Sequence, residues 1–186
     1  MVIGEDIPIF GKWGMLHFIE NNGMAFGMEM GGKPGKLILS IFRIIAITAI
    51  VLFLNSIIKK NAYPGLILAV SAILAGAIGN IIDSAFYGMI FNDSTYANHL
   101  IEGSGVATLF PNEGGYAPFL QGKVVDMLYF PVIRTTWPEW VPFRGGQSFE
   151  FFRPIFNIAD SAITIGVISI LIFQKNFFRK EEPAKL

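Results

Sequence analysis

Two aspartates concentrate the chemical interest of this chain. Asp160, in Phe156-Asn157-Ile158-Ala159-Asp160, sits at the mouth of the last long apolar run, Ile158 to Phe173. A charged carboxylate in the middle of a bilayer costs about 2.5–3.5 kcal/mol on insertion scales and less near an interface, so an acid placed there calls for a function. Asp126, in Gly122-Lys123-Val124-Val125-Asp126, is its natural partner. Two carboxyl groups a few ångströms apart cannot both ionise cheaply, so they would share a proton, one acting as general base on a water and the other as acid. That is the chemistry of aspartyl proteases. The macroscopic pKa values would belong to the pair, and no sequence argument assigns the roles.

Three asparagines and a further acid accompany the pair. Gly76, Asn80 and Asp83 fall on one helical face at i, i+4, i+7, and Asn157, Asp160 and Thr164 on another at i, i+3, i+7. Such polar stripes face protein or water and not lipid, and the small residues beside them permit close helix packing. Asn21-Asn22-Gly23 is a tight-turn signal, since Asn-Gly readily supplies positive φ. Each residue taken singly has an ordinary reading. Asp126 reads as a cap, turn or surface acid, and Asp160 as an acid favoured by a helix N-terminus. Asn80 and Asp83 read as interhelical hydrogen-bonding groups, and Asn21 as a turn residue. Their combination is what points to chemistry.

The elements that must position these groups are membrane spans. Hydrophobic residues make up 53% of the 186, aromatics 14% and charged residues 15%, and the mean hydropathy is +0.54. That is too apolar for a typical soluble domain of this size. The fold class expected is an α-helical integral membrane protein: three transmembrane helices in this chain with an external β-rich cradle and an interfacial loop segment. A formal net charge of zero, from 14 basic and 14 acidic residues, leaves no electrostatic footprint for nucleic acid. With no cysteine there is no disulfide or thiol chemistry, and the two histidines, His17 and His99, are isolated, so no metal site is expected.

Residues 1–186 read as a single membrane domain. Residues 1–36 form an external β-like segment, strand-like from Trp13 to Glu20 and continuing as a hairpin through Met24-Ala25-Phe26-Gly27. Residues 37–58 and 66–83 are spans joined by the short basic turn Lys59 to Gly65, which suits the cytoplasmic side. Residues 84–153, rich in proline and glycine, form an external cradle or lid segment. Within it Val124 to Phe130 is strand or short helix, and Trp137, Trp140, Phe143, Phe149, Phe151 and Phe152 suit an interfacial belt. Residues 154–173 are the third span and 174–186 a basic cytoplasmic tail. Both acids of the pair then lie at the external face.

Four stretches, Asn21 to Gly27, Gly76 to Asp83, Gly122 to Asp126 and Phe156 to Asp160, resemble in order the motifs of lipoprotein signal peptidase, or signal peptidase II. The resemblance implies a bacterial inner-membrane aspartyl endopeptidase that removes the signal peptide of diacylglyceryl-modified prolipoproteins by cleaving before the lipidated cysteine. It implies a catalytic dyad of Asp126 and Asp160, with Asn21, Gly23, Asn80, Asp83 and Asn157 as active-site support or substrate-binding residues. It implies no cofactor, and as partners the lipidated precursor and membrane phospholipid; the chain is expected to act as a monomer. The family has four transmembrane helices, so one is unaccounted for: its first helix, with an aspartate and lysine motif, is expected upstream of Met1. The arginine that usually follows the second-motif aspartate is Ser84 here. Arg153 or Arg134 are the candidates to replace it.

A small ion-coupled transporter is the rival from another class, with Asp83 and Asp160 as proton or cation sites in a bundle. A structural membrane protein, in which the aspartates matter through stability alone, is the other.

Overall fold

In the computed structural model, residues 1–11, 13–22, 32–95 and 105–178 are described. Gly23, the expected hairpin through residues 24–27 and the basic tail from 179 lie outside them. The elements run β1 (Asp6–Pro8), β2 (Met15–Asn21), α1 (Gly32–Lys59), α2 (Pro64–Ile90), β3 (Val124–Tyr129), β4 (Ile133–Thr136), β5 (Ser148–Phe151), β6 (Ile155–Phe156) and α3 (Ile158–Phe177). By spatial proximity the chain forms two compact units, residues 1–36 with 83–157 and residues 37–82 with 158–186.

The first unit is built on an antiparallel sheet of order β1-β2-β3-β6. β2 carries Met15 to Asn21 against β3, pairing Ile19 with Asp126 and Asn21 with Val124, and the register shifts between Leu16 and Ile19. Val124 and Tyr129 are buried on β3, as are Val2, Ile3 and Met15 elsewhere in the unit. β4 and β5 form a separate two-stranded ribbon. The segment leading into β3 is tied to the end of α2. Amides of Phe110, Tyr116, Ala117 and Gly122 donate to the carbonyls of Ile90, Phe91, Gly88 and Ser84 at 2.7–3.0 Å. The last carbonyls of a helix have no partner within it, and for Gly88 and Ile90 this loop supplies one.

The second unit comprises most of α1, the first part of α2, and α3. Each of the three helices is long and apolar enough to cross a membrane: Pro34–Lys59, Pro64–Ile90 and Ile158–Phe177. Ile57, Leu66 and Val70 are buried against Ile50, Leu54, Ile170 and Phe177, while Phe42, Leu52, Leu68 and Ile172 point outward. An apolar exterior is expected where the solvent is hydrocarbon. α2 and α3 run antiparallel with very small residues between them. A Cβ added to Gly76 would lie 2.2 Å from the Ala159 carbonyl oxygen, and one on Gly166 would lie 2.6 Å from that of Ala69.

The span boundaries differ from expectation: the first helix begins at Gly32 and not at 37, and the third ends at Phe177 and not at 173. The second helix does not stop at Asp83 but continues to Ile90, because Ala85, Phe86, Tyr87 and Met89 sustain it until Asn92-Asp93-Ser94 breaks the pattern. The third begins at Ile158 and not at Pro154. Pro154 disfavours helix in the residue before it, and Ile155 and Phe156 are taken up as β6, pairing with Tyr129 and Leu128.

Candidate active site

Asp126 is placed by alternation along β3. It shares a sheet face with Val124, is 3% exposed, and stands opposite Ile19 of β2. The Nδ2 of Asn21, the last residue of β2, donates to Oδ2 of Asp126 at 3.0 Å, and Nδ2 of Asn157 donates to Oδ1 at 2.8 Å. A buried carboxyl with an amide on each oxygen is fixed in orientation, and an unmet buried acceptor would cost about 1–3 kcal/mol. Asn157 reaches it because β6 pairs with the far end of β3 and sets down the next residue beside Asp126. Asn157 therefore lies outside α3, and the expected helical stripe of Asn157, Asp160 and Thr164 reduces to Asp160 and Thr164.

Asp83 belongs to the same unit and acts on the backbone of β3. Its Oδ2 accepts from the Val125 amide at 3.4 Å, the long end of the range. Gly122, two residues before Val124, packs onto the same turn of α2: a Cβ there would lie 2.6 Å from the Asp83 carbonyl oxygen and 2.8 Å from the Gly88 nitrogen. The glycine lets strand and helix meet at backbone distance. Ser84, where the resemblance implies an arginine, is 3% exposed, and its carbonyl accepts from Gly122 at 2.8 Å. Arg134 and Arg153 both pair with Glu150, at 2.6 and 3.6 Å.

In the second unit Asn80 and Asp160 meet. Asn80 Nδ2 donates to Asp160 Oδ1 at 2.7 Å, and Asn80 is 8% exposed within an apolar helix. Asp160 lies in the first turn of α3, where the helix dipole favours an acid. The contact depends on Gly76, one turn before Asn80 on α2, and on Gly79, the residue next to it, which allow Ala159 to approach; a Cβ on Gly79 would stand 3.0 Å from that of Ala159. Of the expected residues, Asp126, Asn21, Asn157 and Asp83 thus gather in one unit, and Asp160 and Asn80 in the other. No group of acids and histidines among the described residues is arranged to hold a metal ion.

Sequence reasoning passed over a second polar cluster on the opposite face of the sheet. Lys123 Nζ lies 2.6 Å from Oε2 of Glu20 and 3.6 Å from Asp93, and 5.0 Å from the centre of the Tyr116 ring. The Tyr116 hydroxyl accepts from the Lys123 amide at 2.7 Å, and Ser94 donates to Glu20 Oε1 at 2.7 Å. Burial, outweighing that amide, pushes the Tyr116 hydroxyl up to about 12. Beside the cluster lies a cavity of about 250 Å3 lined by Phe18, Glu20, Tyr87, Val125 and Met127. The sequence signal available was alternation: Glu20 and Lys123 adjoin Asn21 and Val124 on strands whose opposite face carries Asp126.

Helices long and apolar enough to span a membrane, a sheet whose buried acid is held by two amides and, in the other unit, an acid held by a third describe a membrane protein with one carboxyl and amide cluster in each unit. The family model of signal peptidase (SPase) II matches residues 2–176, and the chain belongs to that family and is a peptidase. It is 46% identical to a lipoprotein signal peptidase of Porphyromonas gingivalis over 92% of this chain and 71% of the relative. It is 35% identical to one of Amoebophilus asiaticus, over 89% and 63%. Among solved structures, a bacterial membrane enzyme determined by the in meso method superposes with a TM-score of 0.55 at 25% identity, covering 100% of this chain and 80% of that one. The transporter and purely structural readings find no support in these similarities.

Proposed function

We propose that this peptidase is an aspartyl endopeptidase that removes signal peptides from diacylglyceryl-modified prolipoproteins, cleaving before the lipid-bearing cysteine, with Asp126 and Asp160 as its dyad. The observation that carries the reading is that both acids are held by asparagine amides, Asp126 on each oxygen and Asp160 on one, in a chain of the signal peptidase II family. Amides that orient carboxyls without adding charge suit a pair that must share one proton. The ionised member takes a proton from water as it attacks the scissile carbonyl, and the protonated member gives its proton to the carbonyl oxygen. Asn21, Asn80 and Asn157 keep the carboxyls aimed, and Asp83 with Gly122 sets the strand that carries Asp126. The substrate's acyl chains stay in the bilayer while the segment before the cysteine is cut at the external face of a bacterial inner membrane. The enzyme works as a monomer and needs no cofactor.

The test is turnover of a diacylglyceryl-modified peptide by purified protein in nanodiscs. Asp126→Asn and Asp160→Asn should each lower kcat by at least about 10²–10⁴-fold, the range of general acid–base catalysis, with the helical circular dichroism unchanged. Substantial turnover by either variant would remove that residue from the dyad, and turnover of an unlipidated peptide at an equal rate would refute the substrate class.

A further inference from the structure

The β4–β5 ribbon has one polar face and one apolar face. Opposite residues of an antiparallel pair share a face, so Arg134 with Glu150 and Thr136 with Ser148 lie on one side, and Ile133 with Phe151 and Thr135 with Phe149 on the other. The polar face is the one bound to the rest of its unit. Arg134 Nη2 donates to the Tyr129 hydroxyl at 3.0 Å, that hydroxyl bonds Glu150, and Arg153 pairs with Glu150. The apolar face is largely open: Ile133 is 48% exposed and Phe151 55%, while Phe149 is half-buried with its ring against that of Trp137. A two-stranded ribbon is at best marginally stable alone in water, so something must cover that face.

The turn at its end is ordered. Trp137 and Gln147 extend the ladder, Gly146 donates to the Trp137 carbonyl at 3.0 Å and Gly145 to that of Val141 at 2.9 Å. Gly145 stands against the Glu139 backbone, where a Cβ would lie 2.5 Å from the carbonyl oxygen. This turn displays Trp140, 80% exposed, and Phe143, 99% exposed, with an exposed Arg144 next to them. Phe152 to Asn157 alone separate the ribbon from a membrane span, a link that reaches at most about 20 Å.

We propose that the β4–β5 ribbon is an interfacial anchor, lying on the phospholipid surface with Trp140 and Phe143 inserted at the boundary of headgroups and acyl chains and Arg144 at the lipid phosphates. Three observations select lipid as the occupant. The exposed aromatics are those that favour a membrane interface, the cation beside them complements phosphate, and the chain enters the bilayer within reach of the ribbon. The anchor does not depend on the peptidase chemistry.

The chain has no cysteine, so Phe143→Cys and Trp140→Cys each accept a single environment-sensitive fluorophore, with Thr136→Cys as a label on the polar face. The labelled proteins are placed, one per disc, in nanodiscs of phosphatidylethanolamine and phosphatidylglycerol. Both tip labels should emit blue-shifted light and be quenched more by a lipid nitroxide near the headgroup than by one at the chain end, matching a depth of about 5–10 Å. The Thr136 label should retain water-like emission. Water-like emission from both tip labels overturns the proposal. So does a blue shift that no lipid nitroxide quenches, because protein, from this chain or a second copy, would then be the cover.

Discussion

At the scale of residues, the site is a matter of which amide holds which oxygen. Asn157 was legible as a polar neighbour of Asp160, and the structure gives it a bond to Asp126, at 2.8 Å. Helical periodicity misassigned it because the helix begins one residue later, after two residues drawn into β6, a pairing that nothing in the local sequence announces. Asn21 was legible only as a turn residue for a similar reason: its bond to Asp126 spans more than half the chain and follows from strand register. The role assigned to Asn157 makes a prediction. Asn157→Ala removes the donor to Oδ1 of a buried carboxyl, a loss of about 1–3 kcal/mol, and should lower both the melting temperature and kcat, kcat by roughly 10–100-fold, with KM little changed. Asn157→Asp, which sets a second acid against Asp126, should be worse than alanine. Steady-state kinetics on the two variants decide it, and an alanine variant with wild-type kcat would end the orienting role.

Among the elements, α2 and α3 were the most legible, since long apolar runs with small residues at helical spacing admit few other readings. What composition could not supply was how closely they approach. The Gly76 contact brings the Ala159 carbonyl so near that a methyl group cannot fit. Gly76→Ala should therefore push α3 away and lengthen the bond between Asn80 and Asp160, at a cost of about 1–3 kcal/mol for overpacking. Gly79→Ala, whose Cβ would meet only another Cβ at 3.0 Å, should cost less. Thermal melts and turnover of both variants should rank in that order; equal effects would mean the helix contact does not position Asp160. The cradle was legible as strand-rich but not in its pairing, because the order β1-β2-β3-β6 skips a whole ribbon. That ribbon carries a pH dependence of its own. The Tyr129 hydroxyl, and after it Arg134, holds the Glu150 carboxyl below its ordinary value of 4.5. A carboxyl lowered on folding stabilises the ribbon above the ordinary value, and that stability is lost as pH falls from there through the folded-state value. In a Trp13→Phe background, fluorescence from Trp137 and Trp140 should change on acidification below pH 4.5, and Glu150→Gln should suppress the change. A transition that survives the substitution would assign it to another group.

For the whole molecule, the division into two units has a consequence for how the enzyme fails. All 3 tryptophans, Trp13, Trp137 and Trp140, belong to the unit that contains the sheet, whereas most of the helical signal comes from α1, α2 and α3. The sheet unit is stabilised by strand pairing, a modest set of buried residues and polar contacts such as that of Lys123 with Glu20, all of which urea attacks by solvating the unfolded chain. Helices in a bilayer keep their backbone bonds satisfied even when neighbours separate, since the hydrocarbon offers no alternative partner. In nanodiscs, tryptophan emission should therefore report loss of the sheet unit at a urea concentration that leaves helical circular dichroism largely intact. Activity should disappear with the tryptophan transition, because the proposed dyad needs Asp126, which β3 of that unit carries. Substituting Gly122 by alanine, where the added Cβ would lie 2.6 Å from the Asp83 carbonyl oxygen, should move the first transition to lower urea and leave the helical signal where it was. Coincident transitions in all three measurements would mean that the chain unfolds as one cooperative body, and that damage to either acid's surroundings is felt throughout it.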